Sequence, residues 1–265
     1  MFWHTQHEHE HRAAGGHNAP PRGEPRLNDR GEPIYGQRDE VDLAAFRSIG
    51  PPFWLAGSYG TPERVVEALE AGAAGVQVGT AFAFSKESGL RDDIRRHVLE
   101  LSRETVPDVF TDPVASPTGF PFKVLCLDGS ISDPAVYDRR TRRCDLGFLR
   151  HAYEKPDGSL GWRCPAELPE VYVRKGGDLT DTVGRKCICN GLMATIGLGQ
   201  VRTGGETEPP IVTCGDDVGS VSRFLLSPEA NGYSAKDVVD YLLSMVESAQ
   251  VKRRDTSKSQ VQVVR

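Results

Sequence analysis

With 265 residues, 38% of them hydrophobic, the chain can form one large domain or two ordinary ones around a moderate core. Its formal charge of -5 gives no electrostatic ground for a nucleic-acid partner. No apolar run approaches the ~20 residues of a membrane helix, and 28 glycines with 18 prolines describe a soluble, loop-rich protein.

The opening "MFWHTQHEHEHR" lacks the apolar stretch of a secretory signal, so the chain is expected in the cytoplasm. His4, His7, His9 and His11 are interleaved with acidic and polar residues. Without a fixed backbone and supporting hydrogen bonds such a cluster holds metals loosely, so residues 1–12 are expected to be a disordered leader. Residues 1–40 show no sustained periodicity and read as irregular chain. They include "AAGGHNAPPRG", a glycine- and proline-rich stretch of the kind that lines binding sites where backbone approaches a ligand.

From Pro52 the character changes. "PFWLAG" is a short apolar run ending in glycine and predicts a buried strand. "TPERVVEALEAG" predicts a helix: Thr61 caps it, Pro62 suits its first position and Gly72 its end. Val65, Val66, Ala68 and Leu69 supply its apolar face. "AGVQVGTAF" predicts a second buried strand, which completes a right-handed βαβ unit with parallel strands.

A further helix is expected over about 88–103, with Ile94, Val98 and Leu101 on one face. Residues 107–220 are rich in Pro, Gly and short apolar runs and are expected to be mostly irregular. Helices are expected at 190–198 and, capped by Ser234, within "SAKDVVDYLLSMVESA". The polar tail 248–265 is expected to be disordered. Six cysteines in a cytosolic chain of this size read as reduced thiols. Cys126 reads as a buried strand residue. Cys187 and Cys189, with Cys144, Cys164 and Cys214, hold enough sulfur for a structural zinc. However, C-x-C lacks the usual gap of two to four residues, so no metal site is assigned. His97 and His151 read as surface residues on or beside helices, while Arg22, Arg38 and Lys123 read as solvated or anion-neutralising charges.

The two strand ends fall together. One delivers Gly57, Ser58, Tyr59 and Gly60 to a helix start, and the other delivers Gly79 and Thr80. In a parallel unit both lie at the carboxyl edge, where glycine backbone and hydroxyls can cradle a phosphate. That is where a (β/α)8 barrel places its phosphate site, after its seventh and eighth strands.

"AGGHN", "FWLAGSYG" and "GVQVGTAF", in this order, resemble the nitronate monooxygenase (2-nitropropane dioxygenase) family of TIM-barrel enzymes that use FMN. The likeness extends over roughly residues 13–245, because "TDPVASPTGFPFKV", "GRKCICNGLMATIGLGQVR" and "PPIVTCGDD" resemble the long C-terminal extension of a bacterial subgroup. The resemblance implies His17 as catalytic base and Gly57, Ser58, Gly79 and Thr80 as phosphate contacts, with Gln77 nearby. It also implies oxidation of an alkyl nitronate or nitroalkane by O2 to a carbonyl compound and nitrite.

Two departures stand out. The family's glycine pair is Gly57-Ser58 here, and an eight-stranded barrel needs ~250 residues whereas only its last strands have counterparts. The expected architecture is therefore α/β: a partial TIM barrel over 13–106, followed by a loop-rich, partly helical extension over 107–247. It looks like the C-terminal part of a longer flavoenzyme. Exposed strand edges then call for self-association or a complementing chain. Two rival functions are an FMN-dependent enoyl reductase of fatty-acid or polyketide synthesis and a non-catalytic remnant without flavin.

Overall fold

The computed structural model describes residues 14–246. In chain order it contains β1 (Gly16–His17), α1 (Leu43–Ile49), β2 (Trp54–Ala56), α2 (Pro62–Glu70), β3 (Gly75–Gln77), α3 (Thr80–Ala83) and α4 (Asp92–Glu104). These are followed by β4 (Val109–Asp112), β5 (Phe122–Leu125), α5 (Pro134–Arg139), β6 (His151–Glu154), β7 (Leu160–Arg163), α6 (Pro169–Arg174), α7 (Cys189–Thr195) and α8 (Ala235–Leu243). A 3-10 helix at Asp216–Phe224 lies between α7 and α8. The leader's histidines and the tail 248–265 fall outside the described residues.

The βαβ unit forms with the expected parallel pairing, but β3 is not the buried strand expected: Gly75 and Val76 are half-buried and Gln77 is exposed, because a sheet of two strands leaves an open edge. β2 and β3 pair in parallel, with Trp54 opposite Gly75, Leu55 opposite Val76 and Ala56 opposite Gln77. The Thr61 hydroxyl accepts the Arg64 N–H, Pro62 opens α2, and Gly72 at φ +91° turns the chain just past its end. Val65 and Ala68 are buried beneath the helix. Leu55, Tyr59, Ala68 and Ala73 pack with Leu43 of α1, a helix capped by Asp42 in a stretch without a clear helical pattern. Burying Leu55 to 1% exposure alone stabilises by about 2 kcal/mol.

A larger core lies beyond this unit. Ile94, Val98 and Leu99 of α4 meet Val218, Val221 and Phe224 of the 3-10 helix and Val238 and Leu242 of α8. α4 begins at Asp92, four residues later than expected, and α7 ends at Thr195 because Gly197 takes φ +80°. α8 is capped by Ser234 in a full capping box, the Ser234 hydroxyl accepting Asp237 N–H while the Asp237 carboxylate accepts Ser234 N–H.

The region after Pro107 departs from expectation by holding two antiparallel strand pairs. β4 pairs with β5 and β6 with β7, and β1 joins β5 to complete a sheet ordered β1–β5–β4. This sheet crosses the boundary drawn at residue 106. It also turns the expected irregular stretch around His17 into a short strand. Cys126 is exposed, a correction: β5 stops at Leu125, and Cys126 lies past the buried run. His151 opens a strand instead of flanking a helix. Among the described residues there is no closed barrel, and no helix is long and apolar enough to cross a membrane.

Candidate functional site

The parallel strands end side by side at the Ala56–Gln77 pair, and Ser58 and Gly79 lie two residues beyond it. Gly57 and Ser58 both adopt left-handed backbone, φ +88° and φ +53°. Ser58 is the only non-glycine residue at positive φ among those described. This turn lifts the chain over the sheet edge and into α2, while Gly79 caps the short α3.

Between these ends lies a cavity of about 370 Å3. Gly57, Ser58, Gln77, Gly79 and Thr80 all line it, so the five residues singled out from the two strand ends come together. Its other walls are Gly15, Gly16 and a distant segment that includes Thr213, Cys214 and Asp217. Gly15 is needed there, because a Cβ would stand 2.7 Å from the Cys214 carbonyl carbon.

The donors suit an oxyanion. The backbone N–H groups of Ser58, Gly79 and Thr80 donate to no backbone acceptor among the described residues, and Thr80 is buried. The Thr80 hydroxyl is already engaged, since it accepts Gly215 N–H at 2.9 Å and bonds the Asp217 carboxylate. The backbone at Thr80 and the Ser58 hydroxyl are therefore the groups that remain for a ligand. Asp217 is the contrary feature. Burial raises its carboxyl pKa, opposed by the bond from Thr80, so its charge is already disfavoured before an anion arrives. Burial likewise pushes the Cys214 thiol up, which leaves it an inert wall.

His17 is the next residue after Gly16 but does not itself line the cavity, as the alternation of side chains along β1 requires. Its Nε2 lies 2.6 Å from the Ser116 hydroxyl, and its ring tilts against Phe122 with centroids 4.9 Å apart. Ser116 is fully buried and in turn lies 2.8 Å from the Thr118 hydroxyl. Burial lowers the His17 pKa, favouring the neutral ring. Lys123 is not a solvated charge: it is buried in β5 and donates to Asp216 at 2.7 Å.

Nothing in the sequence alone brings Thr213 or Asp217 to the site, and Cys214 reads there only as one of six thiols. "TCGDD" offers a signal, a small-polar run closing an apolar stretch, but nothing local shows that it returns to the strand ends.

No protein-family model and no curated protein matches the chain. Among solved structures it is similar to a mutant of FabK from Thermotoga maritima, at 15% identity and a TM-score of 0.41. That match covers 93% of this chain and 54% of the other, so the chain spans about half the length of the protein it matches.

Proposed function

We propose that the cavity holds the phosphate end of FMN and that the chain belongs to an oxidoreductase of nitronate monooxygenase type. The observation that carries this reading is the meeting of Gly57, Ser58, Gln77, Gly79 and Thr80 around one cavity, with His17 one residue beyond its wall. The N–H groups of Ser58, Gly79 and Thr80 would hold the phosphate, with the Ser58 hydroxyl as a further donor. FMN, when bound, supplies the electron transfer and the reaction with O2.

The chain's own chemical part is a proton transfer. Ser116 receives a hydrogen bond from Thr118 N–H and can donate its own O–H in a hydrogen bond to the Thr118 hydroxyl oxygen. It then accepts from His17 Nε2–H, which leaves Nδ1 with a lone pair. That atom would take the proton from the carbon next to a nitro group, and the lowered pKa keeps it unprotonated at neutrality.

The test is a titration of the full chain with FMN and with riboflavin, which lacks the phosphate, followed by flavin fluorescence. FMN binding at least about tenfold tighter is expected, a difference of about 1.4 kcal/mol. A Cβ at Gly79 meets nothing within 4 Å, so Gly79→Ala should leave the preference intact while Gly79→Glu abolishes it without unfolding the chain. Equal affinity for the two flavins, or an undisturbed preference in Gly79→Glu, overturns the reading. Nitrite release from a nitroalkane under O2, against turnover of an enoyl thioester with NADPH, decides the reaction.

A further inference from the structure

The cysteines that the flavin reading leaves unused are gathered in one place. Cys144, Cys164, Cys187 and Cys189 all line a second cavity, of about 290 Å3, although they come from three separate segments. Cys144 lies beyond α5, Cys164 directly follows β7, and Cys187 and Cys189 lead into α7. The single residue between the last two is explained by the fold. Ile188 is buried in the neighbouring cluster with Phe122, Val124 and Ile211, and the cysteines on either side of it both turn to the cavity.

Arg140 donates to the Cys187 carbonyl at 2.7 Å and Arg150 to the Cys144 carbonyl at 2.8 Å, which brings two guanidinium groups to the cysteine segments. The cavity wall adds Arg142 and Arg143. Four thiolates around a divalent ion carry a net charge of about -2, which these guanidinium groups offset.

The surrounding chain also needs a tie. Among the described residues, a small apolar cluster of Cys164, Ala166 and Cys187 with Leu149 lies at this cavity, and the β6–β7 hairpin leaves Leu160 and Trp162 exposed. So small a core does not hold such a segment by burial alone.

We infer that Cys144, Cys164, Cys187 and Cys189 form a structural site for a thiophilic divalent cation, zinc in the cell. As placed, no three His, Cys, Asp or Glu among the described residues are already set to hold a metal ion. Closure to zinc–sulfur distances of about 2.3 Å therefore takes an inward turn of the thiols.

The experiment is zinc analysis of the full chain purified without chelator, followed by exchange into Co2+. One zinc per chain is expected, together with a sulfur-to-cobalt charge-transfer band of tetrahedral thiolate character. Cys164→Ser and Cys187→Ser should each lose the metal, whereas Cys126→Ser and Cys214→Ser should keep it. If the first two variants fail to fold, thiol titration of the unaltered chain decides, because chelation should expose four additional reactive thiols. Folded protein that takes up no zinc from zinc-containing buffer overturns the assignment. So does a disulfide among the four, metal retained in Cys164→Ser, or a thiol count that chelation leaves unchanged. Saturable binding of inorganic phosphate to zinc-free protein, lost on changing Arg142 and Arg143, would make the cavity an anion site instead.

Discussion

Ser58 stands where a glycine would sit at no steric cost. Left-handed backbone crowds the Cβ of an L-residue by about 1–2 kcal/mol, and here φ is +53°. Ser58→Gly should raise stability by about 0.5–1 kcal/mol once glycine's extra unfolded entropy is subtracted, read as a higher urea midpoint. No gain would mean that the hydroxyl compensates the strain. Asp217 yields a prediction with a pH signature. Its folded pKa is raised, so between the ordinary carboxyl range and that raised value the folded state binds more protons than the unfolded one. Stability therefore falls as pH rises through this window, and the penalty remains at neutrality. Asp217→Asn keeps an acceptor for Thr80 and should stabilise the chain at pH 7, with the gain vanishing below about pH 4. Paired melts at both pH values check it.

At the scale of elements, β5 and the 3-10 helix Asp216–Phe224 are joined by an uneven ion pair. Lys123 is 1% exposed and Asp216 46%. Burial lowers the Lys123 pKa and Asp216 opposes that shift, so the carboxylate compensates a charge that cannot reach water. Asp216→Asn should cost about 3 kcal/mol by stranding the ammonium, while Lys123→Met should change stability by less than about 1 kcal/mol, because Asp216 can still be hydrated. Equilibrium denaturation of both variants measures the difference; equal costs would contradict it. Elements of this kind divide sharply in how legible they are. α2 and its flanking strands carry their own punctuation in Thr61, Pro62 and Gly72, so local chemistry suffices. β1 has two residues and pairs with Lys123 and Phe122, and β4 and β5 have four each. Strands that short have no periodicity to detect and exist through partners distant in the chain. Lys123 misleads further, since a buried lysine looks like a solvated one until its partner is known.

Across the whole molecule, the site combines what sequence reveals with what it hides. The glycine and hydroxyl residues at the two strand ends were legible because a parallel unit must bring its carboxyl ends together. The remaining wall was not, because Gly215 meets Thr80 across 135 residues of chain. Thr213 is the fastener between the two halves. Its hydroxyl oxygen accepts Gly16 N–H at 2.6 Å and donates to the Lys123 carbonyl at 2.7 Å, tying three remote segments at one atom. Thr213→Val keeps the shape and removes both bonds, so it should cost about 1–3 kcal/mol and weaken FMN binding through the loosened Gly16 wall. Thermal melts and the flavin titration test the two effects separately, and unchanged values in both would deny Thr213 this part.

The bond from Gly215 to Thr80 also sets a clock on synthesis. The first three walls leave the ribosome early, as residues 14–16, 56–59 and 77–83, whereas the fourth waits for residues 213–217. At about 5–20 residues per second, translation separates Thr80 from Asp217 by roughly 7 to 27 seconds. Throughout that interval the nascent chain displays two strand ends and an open edge, with nothing behind them. The fourth wall of the cavity thus exists only once translation has passed the 3-10 helix.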